Sequence, residues 1–236
     1  MVRISVVIPT YHEDKIGECV EYLKQQTAWK KGIMEIIIAD FFEKGLTYPN
    51  PTTKSLYLLD RMTLVNVDRR GIGYARHLGI MRAKGDIKVN FDADSYFSTL
   101  TAIEDLCEPI MRGLAVITCC DSIFNTRELT ADQIRSISMV SSVLNHLNGM
   151  QRNPFFPPCL EAGMTFSKEA YQFVGGFSDV SQYEGFLLAY KIVHAYTPQM
   201  KAHIPNVQVV TSARRALASA TKGLITAYGN YSNAYR

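Results

Sequence analysis

The sequence predicts an α/β fold built on a mostly parallel central sheet with helices on both faces, and three observations lead there. Residues 4–8, 35–40 and 87–91 are short β-branched runs, apolar on both faces, as strands buried inside a parallel sheet are. Between such runs lie segments with helical periodicity, which makes β-α-β units with a right-handed crossover. Carboxylates close the second and third runs, at the strand ends where open α/β sheets bind ligands.

The elements follow in order. Residues 4–8 form a strand closed by Pro9. Ile16, Cys19, Val20 and Leu23 recur at i, i+3, i+4 and i+7, predicting a helix over about 14–27 with one apolar face. The strand 35–40 ends in Asp40. Residues 41–62 hold Pro49, Asn50 and Pro51 and read as a long loop before a short strand at 63–67. A helix over 73–84 follows the turn at Gly71, with Gly85 expected as its left-handed cap. The strand 87–91 runs into Asp92-Ala93-Asp94. A helix over 101–111 and a strand over 114–120 come next. Thr130 with Gln133 signals a capping box, opening a helix that presents Ile134, Ile137, Ser141 and Leu144 on one face. Residues 153–158 are too proline-rich for helix and read as a loop lining or covering a pocket. Ser167 caps a short helix ending at Gly175 and Gly176, and Glu184 opens another through Leu187, Leu188 and Ile192.

Composition excludes several functions. Hydrophobic residues make up 47% of the 236-residue chain and charged residues 20%, ordinary for a globular protein. A formal net charge of +3 without a Lys/Arg block argues against nucleic acid as partner. The five cysteines lack zinc-site or disulfide-framework spacing and read as reduced core thiols. No signal peptide or membrane-spanning run is present, so a cytoplasmic, unanchored protein is expected. Residues 214–236 mix basic residues with leucines and tyrosines and leave peripheral membrane contact open. His12, His77, His146, His194 and His203 show no metal-ligand spacing, and no serine sits in a nucleophile elbow.

An extended Asp-x-Asp places both side chains on one side of the backbone, because strand side chains alternate. Two carboxylates on one face repel unless a cation lies between them. Mg²⁺ or Mn²⁺ meets that need and would bridge the pair to a diphosphate. Taken alone the motif also suits a solvated turn. Asp40, Asp92 and Asp94 are expected to share one crevice.

Longer blocks carry a stronger signal. "SVVIPTYHED", "EIIIAD", "RRGIGYARHLGIMRAKGDIKVNFDADS", "LEAGMTFSKEAYQFVGGFSD" and "VVTSARR" follow one another in an order that resembles the family 2 glycosyltransferases of the GT-A fold. The resemblance implies a hexosyltransferase that moves a sugar from a UDP- or GDP-linked donor to a hydroxyl of a glycan, lipid or protein acceptor, inverting the anomeric centre by direct displacement. It implies a catalytic domain over 1–212, with 1–95 binding the nucleotide sugar and 96–212 the acceptor, then a tail over 213–236. It places Pro9, Thr10, Tyr11 and Glu13 around the nucleoside, Asp40 on the base, and Arg76 near base or phosphates. Asp92 would face the ribose or the metal, and Asp94 would ligate Mn²⁺ or Mg²⁺ directly. Arg214 and Arg215 would neutralise the leaving diphosphate.

Three departures from the family pattern stand out. The catalytic base belongs to a Glu-Asp pair after the Gly-Gly-Phe turn, and here that pair reads Glu184-Gly185. Glu184 is therefore the first candidate for base and Asp179 the second. Arg69-Arg70 replaces the usual asparagine before glycine, and Phe41, Phe42 and Glu43 replace a small polar run. Two rival readings remain. A nucleotidyltransferase would carry a Gly-rich phosphate loop after the first strand, where this chain has Pro9-Thr10-Tyr11. A nucleotide-sugar-binding protein without chemistry would bind donor and transfer nothing.

Overall fold

A computed structural model describes residues 3–11, 13–41, 60–127, 129–153, 156–158, 160–178, 184–214 and 217. Among these residues, eight strands form one sheet in the order β3-β2-β1-β4-β7-β6-β8-β5. They are β1 (Ile4–Thr10), β2 (Met34–Phe41), β3 (Met62–Val67), β4 (Ile87–Asn90), β5 (Tyr96–Phe97), β6 (Ile117–Asn125), β7 (Thr165–Ser167) and β8 (Lys201–Ser212). Strands β3, β2, β1 and β4 run parallel, β7 is antiparallel to both neighbours, and β6 pairs parallel with β8.

Side-chain alternation explains the two-sided burial. Ile4, Val6 and Ile8 of β1 and Met34, Ile36 and Ile38 of β2 pack with Ile16, Cys19, Val20 and Leu23 of α1 (Ile16–Gln25) and Ile103, Leu106 and Cys107 of a later helix (Ala102–Met111). Val7, Ile37 and Ala39 point to the opposite face. There they meet Ala75 and Ile80 of another helix (Ile72–Arg82), with Leu188, Ala189 and Ile192 of the helix Glu184–Ala195. In chain order, the helices after α1 are α2 (Thr27–Lys30), α3 (Ile72–Arg82), α4 (Ala102–Met111), α5 (Ala131–Arg152), α6 (Lys168–Phe173) and α7 (Glu184–Ala195).

Several expectations need correction. Helix α3 stops at Arg82 with Ala83 extended, and Gly85 is no left-handed cap. Gly85 instead packs against β1: a Cβ there would lie 2.8 Å from the Ile4 backbone, and its N–H donates to Ser5 Oγ at 2.9 Å. The sixth strand starts at Ile117 rather than 114, because Gly113 and Leu114 complete a turn on α4 and Leu114 is 56% exposed. It runs on through polar residues to Asn125 because β8 lies alongside, a strand the periodicity did not announce. The capping box is present, with Gln133 N donating to Thr130 Oγ1 at 3.3 Å and Thr130 N to Gln133 Oε1 at 2.9 Å. Helix α5 nevertheless buries Ile137 and leaves Ile134 42% exposed. Residues 42–59, most of the expected loop, lie outside the described set. Of the proline-rich segment, Asn153 and Phe156 are tied down by their carbonyls, which accept from the Lys201 ammonium.

Cys19, Cys107, Cys119 and Cys120 are buried free thiols, and Cys159 falls outside the described residues. Among the described residues no helix is long and apolar enough to cross a membrane.

Candidate active site

Strand β1 pairs in parallel with β2 on one side and with β4 on the other, so the order in which successive strands are added to the sheet reverses at β1. Such a switch opens a crevice beyond the strands' C-terminal ends. A cavity of about 490 Å³ occupies that place, lined by Pro9, Thr10, Tyr11, Glu13, Phe41, Arg70, Gly71, Ile72, Ala75, Asp92, Ala93, Asp94 and Arg214.

One end of the crevice is aromatic. The Tyr11 and Phe41 rings lie 5.3 Å apart and tilted, and the Arg70 guanidinium stands 5.0 Å from the Tyr11 ring centroid while donating to the Tyr11 hydroxyl at 2.8 Å. A flat heterocycle suits such a wall of π faces and a planar cation. Gly71 beside it has φ 144°, a backbone state that L side chains rarely adopt, and it turns the chain so that α3 starts at the crevice. The positive end of that helix faces the cavity, favourable for an anion.

The other end is acidic. Asp92 and Asp94 both line the cavity, but not through the extended backbone expected of a strand end. Strand β4 closes at Asn90, and Ser95 N donates to Asp92 O at 3.2 Å, so the motif lies in a turn. The Asp94 carboxylate accepts from Arg214 Nη2 at 3.2 Å, and the same nitrogen donates to Glu13 Oε2 at 2.5 Å. Hydrogen bonding to Glu13 leads the effects that raise the pKa of Arg214.

This donor set suits a hard divalent cation. Carboxylate oxygens border open space, and Arg214 already serves as the positive partner of two of them. Among the described residues no cluster of three or more His, Cys, Asp or Glu side chains could hold a metal. An ion on Asp92 and Asp94 would therefore complete its shell with non-protein oxygens, as Mg²⁺ commonly does with water and phosphate.

Beneath the crevice lies a charged cluster. Arg76 is wholly buried in α3; its Nη2 donates to Asp92 Oδ1 at 2.8 Å, and its Nη1 donates to Glu184 Oε1 at 2.6 Å and to Glu161. Burial works against the Arg76 charge, but Glu161, Asp92 and Glu184 outweigh it and hold the guanidinium protonated. Burial would also raise Glu161, yet Arg76 keeps its carboxyl below the usual range. Glu184, with its side chain 3% exposed, is pushed up to about 7 by burial first and by the Glu161 charge second, Arg76 opposing.

The predicted site residues divide accordingly. Pro9, Thr10, Tyr11, Glu13, Asp92, Asp94 and Arg214 come together at the crevice. Asp40 is buried at the end of β2 in register with Thr10, and the next residue, Phe41, forms the cavity wall. Arg76 and Glu184 pack below Asp92 instead of lining the cavity. Asp179, Arg215 and His12 lie outside the described residues.

Comparison with known proteins settles the family. The profile described as glycosyl transferase family 2 matches residues 5–174, more than two thirds of the chain. The chain belongs to glycosyl transferase family 2. Its fold is GT-A, shared with solved glycosyltransferases. One is the mannosyltransferase PcManGT from Pyrobaculum calidifontis, solved with GDP-Man and Mn²⁺, at 19% identity and TM-score 0.66 over 89% of this chain and 57% of that one. Another is S. aureus TarS 1–349 with UDP-GlcNAc, at 14% identity and TM-score 0.64 over 92% of this chain and 61% of that one. The family 2 chain thus spans less than two thirds of these structures' own length. No curated protein matches it.

Sequence reasoning missed parts of this crevice and of the cluster beneath it. Glu161, although it lies in the segment LEAGMTFSKEAYQFVGGFSD, had no role assigned from the sequence, because its partner Arg76 is 85 positions away. Arg70 and Phe41 registered only as departures from the family pattern, and their clustering with Tyr11 required the parallel register of β1 and β2.

Proposed function

We propose that the chain transfers a sugar from a nucleotide-diphosphate donor to an acceptor hydroxyl. The observation carrying this reading is the crevice at the β1–β4 switch, with an aromatic wall at one end and Asp92, Asp94 and Arg214 at the other. In this reading Tyr11, Phe41 and Arg70 hold the base, with Pro9, Thr10 and Glu13 around the nucleoside and Asp40 behind Thr10. Asp92 and Asp94 hold Mn²⁺ or Mg²⁺, which when bound offsets the negative charge of the diphosphate. Arg214, from the end of β8, adds fixed positive charge where the leaving group's charge grows, and Arg215 is assigned with it. The N-terminus of α3 acts in the same sense.

Residues 1–95 supply the donor half and 96–212 the acceptor half, with 213–236 a tail. The acceptor oxygen attacks the anomeric carbon opposite the diphosphate, so the product is inverted. Glu184 and Asp179 are the carboxylates that the family pattern offers as base, and Arg76 positions Asp92 from below. PcManGT was solved with GDP-Man and TarS with UDP-GlcNAc, which makes both nucleotides the first donors to try.

A thermal-shift panel of UDP- and GDP-sugars with and without Mn²⁺, followed by nucleotide-release assays, tests the reading. A donor that binds only the folded state raises Tm, by an amount that grows with ligand concentration over Kd. Stabilisation should require the metal and vanish in D94N. Binding without transfer to any acceptor or to water would favour the chemistry-free alternative, and no metal-dependent binding at all would end the proposal.

A further inference from the structure

Displacement at a sugar carbon by a hydroxyl requires a group that takes the proton as the oxygen attacks. Among the described residues, most carboxylates near the crevice are unsuited to this. Asp40 and Glu184 are buried, Glu13 and Asp94 share Arg214 with only 12% and 15% of their side chains exposed, and Asp92 is assigned to the metal. Glu161 is paired with Arg76 but keeps 23% of its side chain exposed, more than Glu13, Asp94 or Glu184.

Resting on the transferase reading above, we propose that Glu161 is the general base of this enzyme, its carboxylate filling the space into which a side chain at position 185 would project.

Placement supports this. Gly163 N donates to Asn90 O at 2.8 Å and Asn90 N to Met164 O at 2.9 Å, which clamps the Glu161 loop to the end of β4. Terminal nitrogens of a single guanidinium then hold Asp92 and Glu161 side by side. Strand β7, which this loop enters, lies on the opposite side of β4 from β1. Glu161 thus lies below the donor crevice on its β7 side, away from the aromatic wall, where the proposal places the acceptor.

Position 185 explains how a glutamate from another segment comes to stand there. A Cβ on Gly185 would lie 2.4 Å from Glu161 Cγ, 2.6 Å from Cδ and 2.7 Å from Oε1. A side chain at 185 would displace Glu161 from this conformer, so glycine at 185 leaves the space in which Glu161 folds over the start of α7. Gly185 N donates to Glu161 Oε1 at 2.9 Å, and with Arg76 it favours the ionised form that accepts a proton. In the step itself the acceptor O–H proton passes to Glu161. The acceptor oxygen bonds to the anomeric carbon, and the bond from that carbon to the diphosphate oxygen breaks with its electron pair on the diphosphate.

The test uses the donor found in the thermal-shift panel and reads nucleotide release to water and to an acceptor panel. E161Q keeps the volume and should bind donor with metal as the parent does, while kcat falls at least about 100-fold. The swap E161A/G185D returns a carboxylate to the same space from the other segment. It should recover most of the turnover that E161A loses, a rescue that a purely structural glutamate does not predict. Parental kcat in E161Q, a loss confined to KM, or a folded, donor-binding swap no faster than E161A each overturns the assignment. If E161Q fails to fold, the swap decides. A parent that binds donor yet never cleaves it overturns the base and leaves donor binding standing. A parent that binds no donor overturns the underlying reading and the base together.

Discussion

Replacing Arg76 tests the cluster beneath the crevice. The side chain is 1% exposed and meets three carboxylates, so R76M leaves Asp92, Glu161 and Glu184 facing one another without a counter-charge. Removing one partner from a buried charged group costs about 3–5 kcal/mol. Methionine fills much of the volume, and Glu184, already pushed up to about 7, relieves some repulsion by holding a proton. The lower end of the range, about 3 kcal/mol near neutral pH, is therefore expected. At roughly 2–4 °C per kcal/mol for a chain of this size, Tm falls by about 6–12 °C. The pH dependence has a definite sign. Without Arg76, burial and Glu184 lift the Glu161 pKa above its unfolded value, and stability tied to a raised carboxyl is present at low pH and lost as pH rises. Urea denaturation of parent and R76M at pH 5 and pH 8 should show the deficit growing toward pH 8. A deficit below about 1 kcal/mol, or one that shrinks toward pH 8, would refute the reasoning. R76K, with charge but no fork, should fall between the two.

Other measurements probe packing and titration. A Cβ on Gly79 of α3 would lie 2.5 Å from Val7 Cγ1 and 3.4 Å from Ala39 Cβ. G79A should therefore destabilise by about 1–2 kcal/mol, overpacking outweighing the gain in helix propensity. Gly149 in α5 meets nothing within 4 Å, so G149A should gain up to about 1 kcal/mol in the same denaturation assay; equal shifts of one sign would show that sheet contact is not what α3 requires. Because the Glu184 pKa is raised on folding, its contribution to stability is complete below the unfolded value of about 4.3 and is lost as pH rises through about 7. Parental stability should fall relative to E184Q across that window, and a flat difference curve would count against a buried, proton-holding Glu184.

Strand and helix identities were largely legible because burial on both sheet faces leaves local marks. The runs at Ile4–Thr10 and Met34–Phe41 could not be anything but buried strands, and Thr130 with Gln133 marked a helix start that the structure keeps. Elements whose pattern is set by a distant partner were not legible. Strand β8 alternates poorly, with exposed Pro205 and Asn206 in its middle, and becomes a strand because β6 offers it a parallel edge. The candidate site shows the same division. That Tyr11, Glu13, Asp92 and Asp94 would border the crevice was legible because each stands next to a strand end whose position is local information.

By itself, then, the sequence determined the layered fold, the family and the carboxylate-bearing strand tips. Only the tertiary structure decided that Asp92 and Asp94 lie in a turn, that Phe41 and Arg70 close on Tyr11, and that Glu161 rests against Gly185 with Arg76 below. The physical reason is range. Hydrogen-bonded periodicity and side-chain alternation act over a few residues and print themselves on the sequence, whereas Coulombic pairing and steric exclusion between segments tens of residues apart exist only once the chain has folded.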